Sequence, residues 1–247
     1  MSSEPMAAVL ALLGGGDEHD QGGTLGLSPT AAAAAAAALG VDGISAGVGT
    51  GPEGVILAWG PEQTAIALEN AQFTLGQGPG FDAMAAGAPV LEPDLDRSWA
   101  TDRWPAFTLA ATKLGVRAVF AFPLRIGAIS VGVLTAHRNT PGPLGDGELT
   151  DALALADAVT IQLLHRVEPG AARAAAGPNG PCPGWARPST HRAEVHQATG
   201  MISVQLEVSL AEALVRLRAY AYAEDRLIDE VAADVVARSV RFTRTDP

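Results

Sequence analysis

Apolar residues recur along this chain in two rhythms, a mixed one up to about residue 165 and a purely helical one after about 189. Ser28-Pro29, an alanine run, Leu39 and Gly40 predict a helix, with Ser28 as N-cap, Pro29 at the first helical position and Gly40 as the left-handed stop. The β-rich runs 43–48 and 53–59 flank Gly49-Thr50-Gly51-Pro52 and predict two strands joined by a tight turn. Residues 63–73 place Ile66, Ala67, Leu68 and Ala71 at helical spacing, and Gly76-Gln77-Gly78-Pro79-Gly80 ends that helix. A short helix over 81–86 and a strand over 89–91 follow. Residues 97–114 are helical but broken at Pro105, whereas 116–124 and 129–137 predict a central hairpin turning near Gly127. Positions 149, 153, 156, 159 and 163 then mark one face of a helix over 146–164, with Asp146 as its cap.

Between the two rhythms, residues 167–188 hold five prolines and four glycines, too little apolar surface to order themselves, and read as a linker. Beyond it come three helical stripes. The first is Val195, Ala198, Ile202 and Leu206; the second is Leu210, Ala213, Leu214 and Leu217 behind the capping box Ser209-Leu210-Ala211-Glu212; the third is Ile228, Val231, Ala232 and Val235. The organisation expected is a flexible leader over 1–27, a mixed α+β domain over 28–166, the linker 167–188, an all-helical domain over 189–242 and a tail over 243–247. So small a helical core gains from dimerisation.

Composition narrows the function. The 247 residues carry 27 acidic against 16 basic side chains, a formal net charge of −11, which argues against coating nucleic acid or membrane by bulk attraction. The single cysteine, Cys182, forms no internal disulfide and seeds no zinc site, which favours a reducing, cytoplasmic setting. The apolar run 6–13 is too short for a membrane span and lacks the basic flank of a signal peptide, so no membrane association is expected.

Within the first domain, Leu75-Gly-Gln-Gly-Pro-Gly-Phe-Asp-Ala83, Pro89-Val-Leu-Glu-Pro-Asp-Leu95, Trp104-Pro-Ala-Phe107, Gly115-Val-Arg-Ala118, Pro123-Leu124 and Val131-Gly-Val-Leu134 occur in the order and spacing of GAF domains, which this region resembles. His191-Arg-Ala-Glu-Val-His-Gln-Ala-Thr-Gly-Met-Ile202, Glu212-Ala-Leu214, Leu217-Arg218, Arg226-Leu227 and Val231-Ala232 fall without a gap at the spacing of ANTAR domains, which the C-terminal region resembles. The resemblance implies a GAF-like α+β domain, an antiparallel sheet flanked by helices, followed by an all-α three-helix ANTAR domain. It also implies a dimeric transcription antitermination regulator of actinobacterial type that binds paired hairpins in nascent leader RNA under control of a small-molecule or other signal. The alternative is a protein interaction module whose ANTAR domain has lost RNA binding. Thr199 and Gln205 stand where many ANTAR domains carry basic residues, and residues 189–247 hold seven arginines against nine carboxylates, a net of −2.

Candidate RNA-binding residues are Arg192, Gln197, Thr199, Arg216, Arg218, Tyr220 and Arg226, with Arg238 adding charge and one of Tyr220 and Tyr222 free to stack a loop base. Each arginine reads equally as a solvated helix face paired at i,i+4, as Glu212 with Arg216. A GAF-like pocket would draw on Trp59, Phe81, Trp99, Trp104, Phe107, Phe120 and Phe122. The strand aromatics among them read also as plain core. The Gly76–Gly80 stretch lacks the lysine of a phosphate loop and reads as a turn. His137 reads as a surface histidine, His191 and His196 are wrongly spaced for zinc, and Asp94 and Asp96 have no nucleophile or base beside them. No enzyme activity, metal or cofactor is expected.

Overall fold

The computed structural model describes residues 2–14, 29–49, 56–59, 62–166, 190–224 and 226–243. The linker 167–188 and leader residues 15–27 lie outside these. The leader also contains a departure: residues 4–14, expected to be flexible, form helix α1 (Glu4–Gly14), with Met6, Val9 and Leu13 buried. Its partner is far along the chain. Ser3 donates from both its backbone N–H and its Oγ to the Asp151 carboxylate of α7 (Asp146–Arg166), a contact local periodicity cannot reveal.

Helix α2 (Pro29–Ala38) starts at its proline and is followed by Gly40 at φ +59°. Strands β1 (Gly43–Val48) and β2 (Ile56–Trp59) pair antiparallel. In α3 (Gln63–Leu75) the Glu62 carboxylate accepts from the Thr64 and Ala65 amides, and Gly76 closes the helix at φ +64°. Next come α4 (Pro79–Ala86), β3 (Val90–Glu92), α5 (Ser98–Arg103) and α6 (Pro105–Lys113), the last two divided at Pro105. Strands β4 (Ala118–Ile126) and β5 (Ile129–Arg138) form the central hairpin, with Gly127 at φ +60° in its turn. Asp146 is the first residue of α7, not its cap; Glu148 reaches back to accept from the Gly145 amide.

The sheet runs β2-β1-β5-β4-β3, antiparallel throughout. Helices cover both faces. Ala118, Phe120, Phe122 and Leu124 of β4, with Leu134 and Ala136 of β5, pack against α1, α2 and α7. The opposite parity, Val119, Ala121 and Val133, meets α3 to α6. Because successive strand side chains alternate in direction, each parity feeds its own core. At one point the sheet demands glycine: a Cβ on Gly132 would lie 2.2 Å from the Gly47 carbonyl oxygen.

The C-terminal residues form α8 (Thr190–Leu206), α9 (Leu210–Ala223) and α10 (Ile228–Val236). Residues 194–206 of α8 and α9 bend by 105° about Glu207, which adopts φ +58°, and Ser209 Oγ accepts the Glu212 amide as cap. Every residue of the three expected stripes is buried except Leu210, which is exposed at the start of α9. Phe242 folds back under the bundle, its amide donating to Gln205 Oε1 and its ring 5.2 Å from that of Tyr220. The bundle core also takes in Phe73 of α3, so the two cores touch.

Candidate ligand cavity and helical interface

The Gly76–Gly80 turn is organised by one side chain, Gln72. Its Oε1 accepts from the Gly80 amide at 2.8 Å and its Nε2 donates to Glu69 Oε1 at 3.4 Å, while Ser45 Oγ of β1 donates to the same carboxylate oxygen at 3.0 Å. All three polar side chains are buried. A Cβ on Gly78 or Gly80 would lie 2.6 or 3.0 Å from Gln72 Oε1, so the turn closes on the amide only because both residues are glycine. Glu69, Gln72, Phe73, Gly80, Phe81 and Val133 enclose a cavity of ≈ 10 Å³ between α3, α4 and β5. That is room for about one water. A carboxylate, an amide and two aromatic faces thus converge on a small interior space on the α3–α6 side of the sheet.

An antiparallel sheet with these flanking helices has a recognisable relation. The GAF domain family matches residues 25–163, which is 139 of the 247 residues. The chain belongs to the GAF domain family. Solved structures that this chain matches include the GAF domain from a phosphoenolpyruvate-protein phosphotransferase of Coxiella burnetii, at 15% identity and TM-score 0.48 over 66% of this chain and 96% of that one. Another is a free methionine-R-sulfoxide reductase from Neisseria meningitidis in complex with its substrate, at 19% identity and TM-score 0.47 over 65% and 87%. A domain of a putative two-component sensor histidine kinase from Sinorhizobium meliloti matches at 17% identity and TM-score 0.45 over 57% and 91%. No curated protein matches the chain. GAF domains are signal-sensing modules of signalling proteins.

Of the aromatic residues expected to line a GAF pocket, Phe81 does so. Phe120 and Phe122 do not: their parity points them into the α1, α2 and α7 core, on the far side of the sheet. Trp104 and Phe107 are fully buried in the α5–α6 core instead of lining the cavity. Trp104 Nε1 donates to Asp82 Oδ2 at 2.9 Å; Arg103, ion-paired to that same oxygen, stacks on Trp104 and on the half-exposed Trp99, so this cluster braces α4 against α5. The Trp59 side chain lies outside the described residues. Sequence reasoning missed Glu69, Gln72, Phe73, Gly80 and Val133. The signal available was the glycine turn itself, whose tight approach requires a partner eight residues upstream.

His137 is a further correction. It is buried instead of lying on the surface, with Nε2 3.6 Å from Glu62 Oε2, against Gly43. Burial holds its imidazole below the ordinary value despite the Glu62 and Asp42 carboxylates. Burial acts to raise the Glu62 carboxyl, but the Thr64 and Ala65 hydrogen bonds outweigh it and hold that group low. A neutral imidazole therefore sits beside a carboxylate near pH 7. Asp94 and Asp96 both pair with Arg117, at 3.8 and 2.7 Å. Among the described residues, no cluster of three or more metal-ligating side chains forms, and no single helix is long and apolar enough to cross a membrane.

The C-terminal candidates divide. Gln197 is exposed, and Arg216 is half-exposed, 3.9 Å from Glu212. Thr199 is buried, its Oγ1 donating to the Val195 carbonyl one turn back, and so offers nothing to RNA. Tyr220 packs on Phe242, while Tyr222 is 72% exposed; the stacking candidate is therefore Tyr222, not Tyr220. Arg226 is held by Asp234 at 2.7 Å and Glu230 at 3.7 Å. Arg218 is withdrawn from solvent against Phe73 and Phe81 of the GAF domain, and desolvation pushes its guanidinium down to about 10. The Arg192 side chain lies outside the described residues.

Proposed function

We propose that this chain is a non-enzymatic, signal-responsive antitermination regulator, in which the GAF domain controls a dimeric ANTAR domain that binds hairpins in nascent leader RNA. The observation that carries the reading is the ordered ANTAR-like motif over 191–232, whose apolar positions Val195, Ala198, Ile202, Leu214, Leu217 and Val231 form the core of a three-helix bundle. Gln197, Tyr222, Arg238 and Arg241 are each exposed, and together they supply stacking surface and positive charge of the kind that unpaired loop bases and phosphates take. We assign a small-molecule signal to the cavity among Glu69, Gln72, Phe73 and Phe81, which must open to admit anything larger than a water.

The experiment is binding of the full-length protein to tandem-hairpin leader RNAs at two salt concentrations, beside single-hairpin and loop-scrambled controls. Loop-dependent binding that weakens with salt supports the regulator. Salt-insensitive or loop-independent binding, or none, refutes it. A protein interaction module is the second reading. It is favoured by the engagement of Arg218 and Arg226 within the chain and by Val204, Val215 and Leu227, which leave apolar surface exposed on the bundle.

A further inference from the structure

Helix α9 meets α3 through Arg218. Its Nε donates to the Phe73 carbonyl at 3.0 Å, and its guanidinium carbon stands 5.5 Å from the ring centre of Phe73 and 5.8 Å from that of Phe81. Three properties of the α3–α4 turn suit a planar cation. The Phe73 carbonyl belongs to the last turn of α3, where aligned peptide dipoles leave partial negative charge. The two aromatic rings offer their electron-rich faces. Gly76, at φ +64°, leaves the space the guanidinium fills: a Cβ there would come within 3.0 Å of Nη1. Nη2 is buried without an acceptor, a cost more bearable for a weakly hydrated, delocalised guanidinium than for an ammonium.

Phe73 and Phe81 also line the cavity. With room for about one water, that cavity admits a larger molecule only if its walls move, and two of those walls grip Arg218. We propose that the α3–α4 turn is a guanidinium-binding site whose resident ligand is Arg218 of the same chain, so that filling the adjacent cavity and docking the C-terminal bundle exclude one another. By linkage, whatever weakens the grip on Arg218 also eases entry into the cavity, and the reverse. The latch requires no RNA, and its test is independent of the antitermination reading. If that reading holds, undocking returns one more arginine to the RNA-binding domain.

The test uses the full chain with Cys182→Ser and spin labels on Leu109→Cys and Val204→Cys, exposed positions on α6 and α8. Pulsed electron paramagnetic resonance is expected to give one narrow distance distribution with Arg218 in place. Arg218→Ala should broaden it, with a roughly tenfold loss of the docked fraction for one desolvated cation–aromatic clamp and its hydrogen bond. Ethylguanidinium at tens of millimolar should restore the narrow distribution, whereas ethylammonium at the same concentration should not. Gly76→Ala, which leaves the bundle sequence intact, should broaden the distribution with Arg218 present, and circular dichroism should show helix content unchanged. A distribution that stays narrow in both variants, or equal rescue by the two cations, overturns the proposal.

Discussion

Replacing Gln72 by leucine tests whether one amide holds the sensor cavity together. Leucine has nearly the same volume but neither hydrogen-bonding group, so packing is conserved while the Gly80 amide, buried and bonded at 2.8 Å, loses its acceptor. A buried unpaired N–H costs about 1–3 kcal/mol. The 3.4 Å bond to Glu69 is long, and its loss adds about 0.5–1 kcal/mol because Ser45 still donates to the same carboxylate. The sum, about 1.5–4 kcal/mol, is a large part of a typical domain's 5–15 kcal/mol. With a urea slope of about 2 kcal/mol per molar, the unfolding midpoint should fall by about 1–2 M. Tryptophan fluorescence is a suitable assay, since Trp59, Trp99 and Trp104 all lie within the GAF region. Gln72→Glu is the control: it keeps the acceptor for Gly80 but sets a second carboxylate against Glu69, so relative to the parent it should recover as pH is lowered. A midpoint for Gln72→Leu within about 0.2 M of the parent would refute the assignment of Gln72 as organiser of the turn.

Three further outcomes are expected. Gly132→Ala should cost several kcal/mol, or prevent folding, because its methyl would collide with backbone in β1 and not with a movable side chain; thermal unfolding measures this. His137 makes stability fall as pH drops below about 6.5, because the unfolded state takes up a proton there while the buried imidazole resists until lower pH; urea midpoints across pH 5–7 should show the slope, and His137→Asn should flatten it. Tyr222→Ala should weaken loop-dependent RNA binding by about 1–3 kcal/mol while leaving the salt slope and the unfolding midpoint unchanged; equal binding would remove Tyr222 from the interface.

The elements were legible where local chemistry alone decides them. Pro29, Gly40, Gly76, Pro105, Gly127 and Ser209 each mark a boundary that the chain observes within a residue or two. The three C-terminal stripes became a core because their spacing admits one buried face per helix. The cavity was harder to read, since a sheet covered on both faces buries both parities of β4 and nothing in the alternation says which side leaves an interior space. Phe120 and Phe122 were the larger and more conspicuous residues, and they faced the other core. Arg218 shows a different gap: helical periodicity puts it at the edge of the α9 stripe, but a surface position is covered when another domain docks there, and the docking partner lies some 145 residues away along the chain.

Helix α1 bears on how the sensor can be taken apart. The family match begins at residue 25, so a fragment trimmed to it would discard Met6, Val9 and Leu13 together with the Ser3 clasp on Asp151. Ala152, Leu155 and Val159 share a core with those residues and would lose that cover, next to Leu153, Ile161 and Leu164, which already face solvent. A greasy strip of that length on one helix invites self-association, and any dimer seen with the trimmed domain would report the cut and not the protein. Oligomer measurements on the sensor should therefore begin no later than residue 2.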